Sequence, residues 1–390
     1  MLNSSIQHHL NHNQTVNLGS YYTNQNYVDV VWSMLQKHLT SDTIIVDSSC
    51  GYGNFFDSKH RSPNSSIGLD IDPQAVAIAT NKFPQVDFRT QNALENISRE
   101  SFRIDDNKPL VIIGNPPYND TTSIIRSDFK KIDFKIDSSV QTRDLGMSFM
   151  LSYNELKADY VCILHPLSYL IKKSNFGLLK NFAKNYSLID SLMISSATFE
   201  GTSKTTQFPI LIGLYKRGNP MTYQDIWDYN FNLNDSSDSL NLGHTTFRLS
   251  QFDYLNNYID KYPSKFQEPH SDSILFYTMR DINALKRSRT FIDKPQNNAI
   301  IVNKNKLELY IYAGVIKEFS HHIPYYMGNC DIPIDLELFQ EYKSYFVVKL
   351  AQKHNFLNNH YKIKPPNNLE LVNSSIQQYL QQLLKNHYVY

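Results

Sequence analysis

Cysteine is scarce: the 390 residues contain three, Cys50, Cys162 and Cys330. They stand too far apart for a zinc knuckle or a disulfide framework, which fits a reducing compartment and a reaction without metal. No apolar stretch approaches the roughly 20 residues needed to cross a bilayer. The opening Met1-Leu2-Asn3-Ser4-Ser5 lacks a basic region followed by an apolar core. The expectation is a cytoplasmic protein with no membrane association. An excess of one charge is also missing: 38 Lys+Arg face 37 Asp+Glu, which argues against a general polyanion binder and leaves room for a local binding face. The pairs His8-His9 and His321-His322 have no acid or cysteine at ligand spacing, so no metal site is expected. There is no internal repeat. Apolar residues at 41% exclude a disordered chain.

What the chain does contain is an ordered series of short apolar runs, each ending in a polar turn. Thr43-Ile44-Ile45-Val46 reads as a buried strand running into Asp47-Ser48-Ser49-Cys50-Gly51-Tyr52-Gly53. Gly51 and Gly53 let the backbone approach a ligand closely, and Asp47 stands at the carboxyl end of the strand, where open α/β sheets bind ligands. The third glycine of a G-x-G-x-x-G is absent, and an acid repels pyrophosphate, so this loop suits a cationic or zwitterionic ligand. Ser66-Ile67-Gly68-Leu69 ends on Asp70, about where such folds place an acid that grips ribose hydroxyls. Leu110-Val111-Ile112-Ile113-Gly114 then leads into Asn115-Pro116-Pro117-Tyr118. The prolines fix φ and remove donors. The Asn115 amide oxygen and the Pro116 carbonyl are left to accept from an exocyclic amine, with Tyr118 as a stacking face. Taken singly, each piece also reads as an ordinary turn. Their order is the signal.

That order resembles the gamma-type N6-adenine DNA methyltransferases, in which cofactor motifs precede the catalytic turn and the target recognition domain comes last. The resemblance implies a Rossmann-like S-adenosylmethionine-dependent methyltransferase domain and S-adenosyl-L-methionine as cofactor. It also implies double-stranded DNA as substrate, with the base flipped out, and a cognate restriction endonuclease acting separately on the same site. Roles carry over residue by residue. Tyr22 and Thr23, in Gly19-Ser20-Tyr21-Tyr22-Thr23, match the aromatic-Thr motif that holds the methionine part of the cofactor. Asp47 would bind the amino group, Gly51 and Gly53 would line its approach, and Asp70 would bind the ribose. Ile71 would lie on the adenine ring and Asn92 would read its amino edge. Asn115, Pro116, Pro117 and Tyr118 form the catalytic turn, with Asn115 also beside the cofactor. Ser48 departs from the proline of many relatives and leaves the turn less rigid. Phe199 resembles the second aromatic that sandwiches the target base; Phe208 competes with it, and a core role stays open for both. A protein glutamine or RNA adenine N-methyltransferase, or a non-catalytic module of the same fold, is the rival reading. The aromatic-Thr segment, the large C-terminal region and the intact motif set weigh against both.

Along the chain, Val28, Val31, Trp32, Leu35 and Leu39 follow helical spacing, and strands alternate with helices to about Arg217. Asp72-Pro73 opens a helix with Ala75, Val76, Ile78 and Ala79 as its apolar face. His165, after a strand near 159–164, is either a general base or a turn histidine at the site rim. The character shifts at Gly218-Asn219-Pro220, and the polar run from Asn232 to Ser239 reads as a loop or linker. This divides the chain into a catalytic domain, 1–218, and a mainly helical target recognition domain, 219–390. The latter ends in an amphipathic helix through Val372, Ile376, Leu380, Leu383 and Leu384. Arg280, Lys286, Arg287 and Arg289 begin a basic segment with Phe276, Tyr277 and Phe291 interleaved; they are the candidate DNA contacts, against a solvated helix face. A monomer or weak dimer is expected.

Overall fold

The computed structural model describes residues 23–61, 64–118, 135–199, 202–234, 242–264, 269–270, 273–362 and 368–390. Gly19 to Tyr22 of the aromatic-Thr motif, His8-His9, and Asp235 to Ser239 of the polar run lie outside the described residues. The chain forms two compact units, one of Met1–Thr205 with Pro209–Arg248, the other of Thr206–Phe208 with Leu249–Tyr390.

The first unit is built on a nine-stranded sheet. Its strands are β1 (Ile44–Asp47), β2 (Ser66–Asp70), β3 (Asp87–Thr90), β4 (Leu110–Gly114), β5 (Tyr160–Pro166), β6 (Tyr186–Ser195), β7 (Pro209–Arg217), β8 (Phe231–Asn234) and β9 (Leu242–Phe247). Their order is 3-2-1-4-5-7-6-8-9. The pairs from β3 to β5 are parallel, β7 is antiparallel to β5 and β6, and β9 is antiparallel to β8. The fold is Rossmann-like. β1 and β4 are buried at every position, as a parallel strand covered on both faces requires. Between them lies the switch point where the chain leaves the β1-β2-β3 side, the usual place for a ligand crevice.

Three helices position that crevice. α1 (Gln25–Leu35) starts on the Asn24 cap, and the Trp32 indole, fully buried, donates to the Phe55 carbonyl at 2.7 Å. This fastens the segment after β1 to α1. α2 (Pro73–Lys82) starts as expected on Asp72, with Pro73 in its first turn. Its buried face is Ala75, Val76 and Ala79, whereas Ile78 is 40% exposed. At 100° per residue Ile78 stands off the stripe that the other three share. α3 (Leu145–Glu155) is capped by Asp144.

Beyond Gly218 the chain returns to the sheet. Thr222 and Asp225 form a capping box on the helix Tyr223–Asp228, and β8 then pairs with β6. The compact units therefore part at Arg248, and the expected boundary at 218 falls inside the first of them. Phe231 and Leu233 alternate inward on β8, so the polar run from Asn232 begins inside a strand.

The second unit packs α4 (Leu307–Glu318), α5 (Leu336–Ala351) and α6 (Leu369–Leu384). Val372, Ile376, Leu380, Leu383 and Leu384 are all buried, as their spacing requires. The fully buried Tyr312 donates to the Pro333 carbonyl at 2.6 Å and accepts from Tyr379. Two small sheets accompany these helices: Asp253–Tyr254 with Pro333–Ile334, and Leu275–Tyr277 with Phe291–Ile292 and Ala299–Ile301. The strands are two or three residues long, too short for a period-2 pattern to register.

A close contact across β2 and β3 tests this packing. Phe88 pairs with Gly68, and a side chain on Gly68 would run into the Phe88 ring and stand 3.2 Å from the Cys50 sulfur. Gly68→Ala is expected to destabilise the protein by about 1–3 kcal/mol, measured by urea unfolding, with part of the loss recovered in Gly68→Ala/Phe88→Leu. An unchanged midpoint for Gly68→Ala would show that the ring moves aside at no cost.

Candidate active site

Asp47 ends β1 with its carboxyl inside the protein, 1% exposed. Oδ1 accepts from the Ser49 amide at 3.1 Å; Oδ2 is buried with no hydrogen-bond partner among the described residues. Burial, reinforced by the nearby Asp70 and only partly offset by the Ser49 N–H, pushes its pKa up to about 8. On the adjacent strand Ile113 pairs with Asp47, and Gly114 follows with φ +139°. A Cβ on Gly114 would lie 2.6 Å from Asp47 Oδ1. Gly114 is thus glycine for two reasons, its backbone conformation and the carboxylate against it. A buried acceptor oxygen beside a strand end is a seat for a cationic donor, since a buried polar atom left unsatisfied costs roughly 1–3 kcal/mol.

The Gly-containing turn is held from β2. Asp70 Oδ2 accepts from Gly51 N at 2.8 Å and Oδ1 from Asp72 N at 3.0 Å. Its carboxylate already organises the turn, while each oxygen keeps a second lone pair for hydroxyl donors. Burial raises its pKa also. Gly51 and Gly53 have φ of +49° and +75°. At Gly53 an added Cβ would sit 2.9 Å from Phe88 and 3.0 Å from Phe83. That position is glycine for its backbone conformation and for the packing of these rings. Ser48 has its hydroxyl 3.0 Å from that of Tyr153 on α3. A buried side-chain hydrogen bond supplies the restraint a proline would have given.

The Asn-Pro-Pro-Tyr turn leaves β4 at Gly114. Asn115 Nδ2 donates to Thr23 Oγ1 at 3.2 Å, and the Thr23 carbonyl accepts from Asn54 Nδ2 at 2.5 Å. Thr23 is buried, so the start of α1, the segment after β1 and the Asn-Pro-Pro-Tyr turn meet at one point. Asn54 was missed by the sequence reading; no periodicity or motif marks it, and only its contact with Thr23 reveals it. Pro116 is buried, and Asn115, Pro117 and Tyr118 are half-buried.

Other expected residues lie differently. Asn92 closes its own turn, Oδ1 accepting from Leu94 N at 3.1 Å and Nδ2 donating to the Lys135 carbonyl at 2.7 Å. Ile71 is half-buried beside Asp70. Phe199, 3% exposed, follows the helical turn Ser196–Thr198 beyond β6; Phe208, just before β7, is half-buried. His165 is fully buried, its Nε2 2.6 Å from the Tyr215 hydroxyl and its Nδ1 3.0 Å from the Pro166 carbonyl. Burial lowers its pKa to about 4. It is a neutral core histidine, neither base nor rim residue.

In the second unit, Arg280, Arg287 and Arg289 line a surface groove of about 530 Å³ with Tyr277, Gln296 and Asn298. Phe276 and Phe291 are buried in the three-stranded sheet, so of the interleaved aromatics Tyr277 alone lines the groove. Lys286 does not line it; the ammonium is half-buried and burial lowers its pKa. Among the described residues no His, Cys, Asp or Glu cluster could hold a metal, and no helix is long and apolar enough to cross a membrane.

No protein-family model matches the chain, and neither does any curated protein. Among solved structures it is similar to one described as a class I S-adenosylmethionine-dependent methyltransferase from Listeria monocytogenes, at 16% identity over 56% of this chain and 67% of that one, with a TM-score of 0.39. It is also similar to the methyltransferase subunit of a type I restriction-modification system from Streptococcus thermophilus: 13% identity, 81% of this chain, 59% of that one, TM-score 0.40. One described as an RNA methyltransferase from Pyrococcus horikoshii gives 13%, 52%, 88% and 0.34. At these scores the chemistry has to come from the residues themselves.

The buried Asp47 has a consequence for stability. Its folded pKa, about 8, lies above the ordinary carboxyl value of 3.8. The folded state therefore holds a proton that the unfolded chain gives up, and this contribution, full below about pH 4, fades as pH rises to about 8. Asp47→Asn is expected to match the parent in urea unfolding near pH 4. At pH 8.5 it should exceed the parent by several kcal/mol at most. Parallel stability profiles for the two proteins would mean that Asp47 is ionised in the fold.

Proposed function

We propose that the chain is a site-specific, S-adenosylmethionine-dependent methyltransferase acting on N6 of an adenine flipped out of double-stranded DNA, as the protective arm of a restriction-modification system. One juxtaposition carries this reading. The buried Asp47, with an oxygen unsatisfied by any described residue, ends one strand, and the Asn-Pro-Pro-Tyr turn leaves its neighbour. The residues fit the cofactor. Asp47 Oδ2 would take the ammonium of the methionine part, the spare lone pairs of Asp70 the ribose hydroxyls, and Ile71 the adenine face. Asn92, closed on its own turn, is left with its remaining acceptor capacity for the ring edge.

When bound, S-adenosylmethionine supplies an electrophilic methyl group. The chain's own residues do the rest. A stacked and paired adenine cannot present N6, so the base leaves the duplex at a cost of a few kcal/mol, offset by stacking on Tyr118 at roughly 1–3 kcal/mol. Phe199 is the proposed second wall; its ring is packed in the protein here, and a base would meet it only after the turn Ser196–Thr198 shifts. N6 is a weak nucleophile because its lone pair is delocalised into the ring. Asn115 Oδ1 and the Pro116 carbonyl accept its two N–H bonds, localise the lone pair and aim it. The hydrogen bond from Asn115 Nδ2 to Thr23 leaves the amide oxygen as the end that faces the amine. The displaced proton passes to water.

Sequence recognition is assigned to the second unit, 249–390. Its Arg280, Arg287 and Arg289 would contact phosphates or guanine edges, with Gln296 and Asn298 as further base readers. Lys286 is the weakest of the four expected contacts because it is not a groove residue.

Transfer of labelled methyl groups to unmethylated genomic DNA, followed by nucleoside analysis for N6-methyladenine, tests the reaction. Asn115→Ala should abolish transfer and leave the cofactor Kd within about threefold, since the bond it removes is to the amine and not to the sulfonium; near-normal turnover would refute the assigned role. Arg287→Gln/Arg289→Gln should weaken DNA binding and flatten its salt dependence by up to about one unit of slope for each phosphate no longer neutralised. If affinity, slope and site preference all stay put, the groove is not the DNA surface.

A further inference from the structure

Tyr118 is backed by a group of buried and half-buried side chains that the proposed reaction does not itself use. Asp144 caps α3 by accepting from Gly146 N at 3.0 Å and Met147 N at 3.4 Å, and the Tyr169 hydroxyl donates to the same oxygen, Oδ1. Tyr169, on the short helix Ser168–Ile171, is 2% exposed. Its ring lies parallel to that of His165, 5.6 Å between centroids and 3° between planes. His165 is fixed in turn by Tyr215. Between this assembly and the catalytic turn stands Gly146. A Cβ there would meet the Tyr169 hydroxyl at 2.5 Å and Tyr118 Cβ at 3.2 Å. There is no slack for a methyl group on either side.

We propose that Tyr169 is a positioning residue for Tyr118. Held by Asp144 and by the His165 ring, it fixes the first turn of α3 at Gly146, and that turn sets where Tyr118 presents its ring to the base. The inference rests on the proposed reaction, because it concerns the seat of the substrate base. Tyr118 enters the site from a turn whose prolines make it stiff but do not place it, since a stiff loop still pivots at its ends. Contact with the first turn of α3 removes that freedom. Tyr169 touches neither the amide of Asn115 nor the carboxyl of Asp47 by any contact described, so its effect should fall on the base and not on the cofactor.

Three variants of the full chain test this: Tyr169→Phe, Gly146→Ala and the double variant. All are assayed for kcat and KM on unmethylated genomic DNA, cofactor Kd and Tm. Tyr169→Phe keeps the ring on His165 and loses only the hydroxyl. It should lower kcat about threefold to tenfold with cofactor Kd within about twofold, because a small misplacement of a reacting group costs rate rather than remote affinity. Gly146→Ala should lower kcat more than about tenfold in the parent and by clearly less when combined with Tyr169→Phe, where the colliding oxygen is gone, a non-additivity that contact between the two sites requires. Two results would overturn the proposal: a kcat that Tyr169→Phe leaves unchanged, or one that falls only in step with cofactor affinity and Tm. Failure of the parent to methylate the DNA would instead remove the reaction, and the positioning role with it.

Discussion

Burial of the Asp47 carboxyl dictates what its neighbours can be. A carboxyl group at a central strand end, out of reach of water, forbids a side chain at Gly114 and holds the Ser49 amide on one oxygen. Asp70 on the adjacent strand is occupied by backbone donors from two turns, Gly51 after β1 and Asp72 after its own strand. Two buried acids at adjacent strand ends raise each other's cost of ionisation, and peptide N–H groups are the means by which the fold lowers it again. The arrangement stays incomplete at Oδ2, and an incompletely satisfied buried acceptor favours any donor that can reach it.

The surrounding structure keeps this edge rigid through hydrogen bonds rather than through charge pairs. Trp32 to the Phe55 carbonyl, Asn54 and Asn115 to Thr23, and Ser48 to Tyr153 are uncharged contacts between segments remote in sequence. Such bonds are little screened by salt, and removing one member leaves the other unsatisfied. The surface groove with its three arginines is of the opposite kind: exposed, charged and responsive to ionic strength.

The parts legible in the sequence were those in which one residue type has one local use. Continuous apolar runs marked β1, β2 and β4, an acid before proline marked the start of α2, and 3.6-residue spacing marked the buried face of α6. The motif order placed Asp47, Asp70 and Asn115 at one edge of the sheet. What escaped was set by tertiary packing. The room Gly53 makes for Phe83 and Phe88 shows only in the packed structure. The bonds of Asn92 to Leu94 and to the Lys135 carbonyl carry no local signal. His165 looked catalytic or peripheral and is neither. β8 was hidden because its inward Phe231 and Leu233 are separated by asparagines that read as a linker. The short strands Phe291–Ile292 and Ala299–Ile301 are strands by virtue of pairing with Leu275–Tyr277 between them.

α3 touches both halves of this edge. Gly146, in its first turn, abuts Tyr118, and Tyr153, seven residues on, reaches Ser48 beside Asp47. Seven residues are two turns to within about 20°, so both contacts leave one face of the helix, roughly 10 Å apart. The separation between the two strand ends is thereby gauged by a helical repeat and not by loop length. Every residue from Leu145 to Tyr153 is buried, and a single inserted or deleted residue between 146 and 153 swings one contact about 100° away from the other.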